Sequence, residues 1–431
     1  MRNPWIVALA GTITMICLGT VYSWSLFTQP LIASFGWSNS TTTFAFSLSI
    51  FFLGVGAIIG GWWQDRSGPR AVTVTGAVLW GLGNILAGLG TAQLGVWWIY
   101  LTYGIIGGTG LGLAYVTPVA TVTKWFPKRR GLGSGMVVMG FGLGAFFYNN
   151  LIKSIPSFRE AAKQAQDVLA SRAPHHVPIV MAAQHIHTIM MIFTLSGVVF
   201  LIVGGLAAAC LSNPPESSSS GARRGTENDF TLAQALATPQ FYSLWLMLFL
   251  NVTAGILFIS NAVNIMRELT GAELTRAVAV YGFIALFNGL GRFFWGAISD
   301  RLGRNLAYVL IYATQIAIFF FVRELHSMTA VATLFAIVLL DYGGGFGTMP
   351  SFTADYFGTR YMGVIYGWIL FAWGVGGIAG PQLVAKVKDH TGSFSGALPI
   401  VAVILLVATI LPIITRKPKR PEPPPAFSPV V

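Results

Sequence analysis

Residues 281–304 read YGFIALFNGLGRFFWGAISDRLGR, and the reading of this stretch decides the fold. It is apolar for about 20 residues, long enough to cross a bilayer as a helix. One permanent cation, Arg292, interrupts it, and it closes on Asp300, Arg301 and Arg304. An arginine near the hydrocarbon centre costs roughly 2.5–3.5 kcal/mol on insertion scales, so its default reading is functional. Asn288 lies one turn earlier on the same helix face, because residues four apart stack one above the other. Two groups able to hold an anion therefore point the same way. The bland alternative is an arginine that snorkels to the interface or pairs permanently with an acid.

The composition agrees with that stretch. Of 431 residues, 54% are hydrophobic and 9% charged, against about 25% charged in soluble domains, which predicts a polytopic membrane protein in a lipid bilayer. The net charge of +12 sits in short loops between apolar runs, as the positive-inside rule expects. No basic, aromatic-interleaved patch is left, so nucleic acid is not an expected partner. Cys17 and Cys210 lie in separate apolar segments, which suggests neither a disulfide framework nor a metal, and no cofactor is expected. The opening Met-Arg-Asn-Pro-Trp runs directly into an apolar stretch without a small-residue cleavage site, as a retained first helix does.

Runs of about 20 apolar residues occur at 5–27, 41–63, 70–91, 95–122, 131–152, 186–211, 241–264, 275–298, 305–322, 329–353, 361–384 and 395–415. These predict an all-α integral membrane protein of twelve spans with both termini on one side. Placing that side in the cytoplasm gathers Arg2, Arg66, Arg70, Lys124, Lys128, Arg129, Arg130, Arg223, Arg224, Arg301, Arg304, Arg360 and the basic tail there. The segment NPPESSSSGARRGTENDF at 213–230 has no core to build and reads as a linker. The expected organisation is a six-helix bundle over 1–212, a linker over 213–238, a second bundle over 239–415 and a disordered tail over 416–431. FREAAKQAQDVLASRA at 158–173 is patterned as an amphipathic helix in a long outer loop (153–184). The nearby His175, His176, His185 and His187 lack the spacing and acidic company of a zinc site.

The halves echo each other. GGWWQDRSGPR at 60–70 matches WGAISDRLGR at 295–304, and KWFPKRRGLGSG at 124–135 matches DYFGTRYMGVIYG at 355–367. Each pair falls at the same place in its half, as in parallel six-helix repeats. The spacing of Gly61, Asp65, Arg66, Gly68 and Arg70 resembles the signature loop of the major facilitator superfamily, and the likeness covers the whole chain. It implies two pseudo-symmetric bundles rocking by alternating access. Asp65, Arg66, Arg70, Asp300, Arg301 and Arg304 are then candidates for a cytoplasmic charge latch that breaks and reforms. Glycines in YGIIGGTGLGLAY and GLGSGMVVMGFGLG allow close helix approach.

In such a carrier the site is expected near the midplane between the halves. Polar or aromatic residues at mid-span are Tyr22, Trp24, Tyr115, Phe141, Tyr342, Phe346 and Trp373. With Arg292 and Asn288 they suggest a box whose aromatic walls exclude water while one cation orients a small anion. VYSWSLFTQP at 21–30, TPQFYSLWLMLFLN at 238–251, FNGLGRFFWG at 287–296 and YGGGFGTMPSFTADYFG at 342–358 resemble the oxalate/formate antiporter family, which is related to the monocarboxylate transporters. The resemblance implies that Arg292 binds substrate carboxylate, with Tyr22 and Tyr115 beside it. Oxalate-carrying members have a lysine in the eleventh helix where this chain has Trp373. A dianion would then leave one carboxylate buried and unpaired, at a cost of several kcal/mol, so the expected cargo is a monocarboxylate such as lactate, pyruvate, formate or acetate.

Asp341 is the clear second intramembrane ionisable group and a candidate for proton coupling, as is Glu268 at the outer end of span 7. A nearby arginine would hold Asp341 charged until substrate arrived. Helix geometry turns it about 100° from Tyr342, which leaves a structural role open. The expectation is a proton-linked carrier working as a monomer in the plasma membrane, the rival being an anion exchanger. A sensor lacks a signalling module in this sequence, and no catalytic constellation points to an enzyme.

Overall fold

The computed structural model describes residues 3–171, 179–215, 229–259, 261–391 and 395–419. The core of the expected linker with Arg223 and Arg224, as well as Arg2, His175, His176 and the end of the tail, lies outside the described residues. The helical rods follow the expected order. Spans 1 to 6 run over Pro4–Phe35, Asn39–Ser67, Pro69–Leu94, Val96–Trp125, Arg130–Ser154 and Ala183–Ala209. Span 7 begins as Pro239–Ile259, and span 8 is Arg276–Leu302. Arg304–Glu324, Met328–Phe357, Met362–Thr391 and Ala397–Ile414 complete the set. Among the described residues, nine of these are long and apolar enough to cross a membrane.

Local chemistry starts and stops these rods where the sequence expects. The Asn3 side chain accepts from Trp5 N–H at 2.9 Å ahead of Pro4, and Ser38 Oγ accepts from Thr41 N–H at 3.0 Å, each satisfying a donor that an open helix end leaves unpaired. Gly68 and Gly303, three residues after Asp65 and Asp300, turn the chain with φ of +81° and +85°. Only glycine takes that conformation cheaply, which gives the first sequence echo its physical content.

Some boundaries depart from the periodicity. Span 1 continues past residue 27 to Phe35 and tightens into a 3-10 turn over Thr20–Ser23. Span 7 stops at Ile259 and resumes as the short amphipathic helix Ala262–Thr270. The helix that carries span 8 begins at Leu274, two residues ahead of the apolar stretch Arg276–Leu302, and is interrupted at Ala285. The outer-loop helix forms over Pro156–Ala170 and buries Phe158, Ala161, Ala165 and Val168, with Phe158 against Phe27 of span 1 at 5.8 Å between ring centres. Gln164 Oε1 accepts from Ala182 N–H at 2.9 Å and meets His185 Nδ1 at 2.6 Å, so His185 is engaged in fastening this helix.

The halves meet along two seams, span 2 against span 11 and span 5 against span 8. Lipid supplies no hydrophobic force between helices, so close backbone packing must hold them. A Cβ on Gly61 would lie 2.1 Å from the Gly363 carbonyl oxygen, and one on Gly131 would lie 2.0 Å from that of Gly296. Glycine lets main chain touch main chain across both seams.

Candidate functional site

Tyr115, Phe141, Arg292, Phe346 and Trp373 belong to five different spans, yet each lies ten or eleven residues from the same end of its helix. At 1.5 Å per residue they share one level about 15 Å from the loop end, well inside spans of 25 to 30 residues. Periodicity in five separate segments thus converges on one layer.

Arg292 is fully buried. Span 8 reaches that depth because Gly291 packs on span 10, where a Cβ would meet the Leu340 carbonyl oxygen at 1.9 Å. On the other side Gly142 of span 5 would carry its Cβ 3.2 Å from Arg292 Nε. Nε faces Asn288 Oδ1 at 3.5 Å, and both terminal nitrogens are buried without a partner. The guanidinium carbon stands 4.8 Å from the Phe346 ring centre and 5.4 Å from that of Phe141, a cation–π setting that compensates little of the lost hydration.

The predicted aromatic residues form one continuous wall around it. Phe346–Trp373, Tyr115–Phe141, Phe141–Trp373, Tyr22–Phe141 and Tyr342–Phe346 have ring centres 4.8, 5.1, 5.3, 5.4 and 5.5 Å apart. The hydroxyls of Tyr22 and Tyr115 lie beside the guanidinium without completing a hydrogen bond to it. Trp24 stands apart, packed on Tyr103 and Phe193 inside the first bundle.

No acid pairs with Arg292 among the described residues. Asp341, the expected counter-charge, is buried with Oδ1 accepting from Trp295 Nε1 at 2.8 Å and Oδ2 unpaired. Trp295 follows Arg292 by three residues on span 8, so the acid is joined to the arginine's helix through an indole and not by an ion pair. Glu268 accepts from Ser395 Oγ at 2.8 Å and Ser395 N–H at 3.2 Å, tying the outer end of span 7 to the start of span 12, away from the box.

At the loop end a network of hydrogen bonds and ion pairs joins the two halves, and it includes some of the residues expected in the latch and some others. Asp65 accepts from the Gly363 and Val364 amides at 3.2 and 2.9 Å, at the start of span 11. Asp300 accepts from the Gly131 and Leu132 amides, both at 2.9 Å, at the start of span 5. Each acid thus binds the positive end of a helix in the other half. Lys124 stands 3.9 Å from Asp65. Arg304 bonds Asp300 at 2.7 Å and Asp355 at 2.8 Å, and Arg130 bonds Asp355 at 2.8 Å. Arg66 lies over its own helix's Trp62 at 3.8 Å, and Arg70 and Arg301 enter no ion pair among the described residues. They were expected in the latch because they sit beside the acids in sequence, but their side chains leave the seam.

Lys124, Arg130 and Asp355 join the latch from the second echoed loop, which carried that signal. Tyr366, absent from the sequence candidates, adds another buried hydroxyl, which lies beside that of Tyr115. Its clue was the seven-residue spacing to Trp373, two turns along one face.

Comparison with known proteins places this architecture. A family model described as Major Facilitator Superfamily matches residues 8–155 and 177–381. The "Oxalate:formate antiporter" of Oxalobacter formigenes is 27% identical over 417 residues, covering 95% of this chain and 91% of its own. "Apicoplast pyruvate carrier 1" of Toxoplasma gondii is 26% identical, covering 91% and 85%. "Monocarboxylate transporter 13" of Bos taurus is 22% identical, covering 94% and 87%. The solved structure of the transporter FucP in the outward conformation superposes with a TM-score of 0.72 at 18% identity, covering 94% of this chain and 97% of that one. With its two bundles, echoed acid loops and matching family pattern, the chain belongs to the Major Facilitator Superfamily.

Proposed function

We propose that this protein carries small monocarboxylates across a membrane by alternating access, with Arg292 as the seat of the carboxylate. The supporting observation is the guanidinium itself, buried in an aromatic box with both terminal nitrogens unpaired. A buried cation lacking a partner costs several kcal/mol, and a carboxylate offers the two parallel acceptors that an arginine fork matches. Tyr22, Tyr115 and Asn288 bring further polar groups to the same anion, while Phe141, Phe346, Tyr342 and Trp373 exclude water around its remainder. Trp373 stands where oxalate carriers place a second cation, which favours one carboxylate over two. The similarity to carriers named for oxalate, formate, pyruvate and monocarboxylates supports the same substrate class.

The halves, residues 1–212 and 239–415, rock about the linker, and the latch acids hold one end closed until the seams part. The echoed loops face the cytoplasm in a plasma membrane, and the unit of transport is a monomer. Proton coupling runs through Asp341: a shift of span 8 as the anion binds alters the Trp295 bond to Asp341 and the stability of its charged form. A second reading, obligatory exchange of carboxylates, is favoured because no acid among the described residues pairs with Arg292, so that an empty carrier would move with its cation uncompensated. Counterflow in proteoliposomes with and without a pH gradient tests both. Accumulation driven by the gradient supports symport, an absolute need for acid on the far side supports exchange, and no transport of any short carboxylate refutes the proposal.

A further inference from the structure

The box carries polar groups besides the guanidinium fork. On the latch side of the guanidinium layer, Tyr366 of span 11 is fully buried with its hydroxyl beside the buried hydroxyl of Tyr115 of span 4; these two can share one hydrogen bond, which leaves one O–H without an acceptor. The indole N–H of Trp373, seven residues from Tyr366 and on the same helix face, is also buried without an acceptor. Tyr366 lies within electrostatic reach of Arg292, so these neutral donors border the same space as the cation. A buried donor left unpaired costs about 1–3 kcal/mol. Two donors left over, one O–H of the tyrosine pair and the Trp373 indole N–H, on side chains contributed by both halves, imply an acceptor that arrives from outside.

We infer that Tyr366 is a specificity-determining residue: its hydroxyl, with those of Tyr115 and the Trp373 indole, forms an uncharged subsite for an oxygen on the second carbon of the anion. This rests on the carboxylate reading of Arg292. A site built to hydrogen-bond a substrate oxygen rejects the analogue lacking it, because its own groups then stay unpaired. The box therefore prefers a 2-oxygenated acid to the alkanoate of equal charge and skeleton.

Lactate and propionate differ in that oxygen alone and serve as the probes. Their dissociation constants are measured on the purified full chain by ligand-dependent thermal stabilisation. The unaltered protein is expected to bind lactate roughly tenfold more tightly, the scale of one well-made hydrogen bond. In Tyr366→Phe the ratio falls to near one while propionate binding stays unchanged. Tyr366→His, which keeps a ring donor, retains part of the preference and serves should the phenylalanine form fold poorly. A ratio that survives Tyr366→Phe, or a parallel loss for both acids, overturns the role of Tyr366 and leaves the carboxylate seat standing. If neither acid stabilises the unaltered protein, both readings fall together.

Discussion

Replacing Gly61 by alanine tests whether the seams hold the observed state. The added Cβ would lie 2.1 Å from the Gly363 oxygen, 2.4 Å from its carbonyl carbon and 2.9 Å from Val364 Cα. All three are main-chain atoms, so no rotamer change relieves the contact and span 2 must draw away from span 11. Overpacking of this kind costs typically about 1–3 kcal/mol. The same movement stretches the bonds from Gly363 and Val364 to Asp65, now 3.2 and 2.9 Å. On the rocking mechanism proposed above, the penalty falls on the latched conformation alone, because the two main chains separate in the other one. A differential of that size shifts the balance between states by roughly 5- to 150-fold. Spin labels at Lys128 and Arg301, exposed residues on opposite halves of the latch face, report the separation by pulsed dipolar spectroscopy. The variant is expected to gain a long-distance population that the parent lacks. Gly205→Ala is the control, since its Cβ would meet nothing within 4 Å. An unchanged distance distribution in a folded Gly61→Ala protein would falsify the idea that main-chain contact holds the latch.

Three further outcomes follow from the site. Arg292→Ala is expected to abolish carboxylate transport in reconstituted vesicles while span content by circular dichroism is unchanged, and Arg292→Lys to lose at least about tenfold in affinity because a point charge cannot engage both carboxylate oxygens; retained uptake by the alanine form would refute the binding role. Asp341→Asn keeps a polar group opposite the Trp295 indole but cannot titrate. It is expected to lose pH-driven accumulation and to preserve exchange, and unaltered accumulation would mark Asp341 as structural. Trp373→Lys places a second cation on the box wall. Gain of oxalate counterflow is the expected result, and continued exclusion of oxalate would sink the one-cation account of selectivity.

The fold was legible because lipid imposes length and polarity limits that a sequence displays directly. The two Asp-Arg-x-Gly turns were equally plain, since their glycines adopt a backbone conformation closed to other residues. Arg292 and the aromatic wall were found by one filter, a polar or bulky side chain at mid-span, which works because depth follows from counting residues along a helix. What counting cannot give is azimuth. Asp341 shares the depth of Tyr342 but bonds Trp295 on a neighbouring face, and Tyr366 lies seven residues nearer the helix end than Trp373, outside the mid-span window. The membership of the ion network was hidden for a similar reason: Arg66 and Arg301 adjoin the acids in sequence, whereas Arg130 and Asp355 arrive from loops distant in sequence and close in space.

Across the seam the carboxylates of Asp65 and Asp300 grip amide protons, while their side-chain partners, Lys124 and Arg304, come from their own halves. Any residue except proline at positions 132 and 364 presents the same donor, so the clasp tolerates wide chemical variation in what it holds. Its strength depends on how near two ribbons come, and the glycines set that distance. Randomising Leu132 or Val364 should therefore disturb transport far less than adding a single methyl group to Gly131 or Gly61.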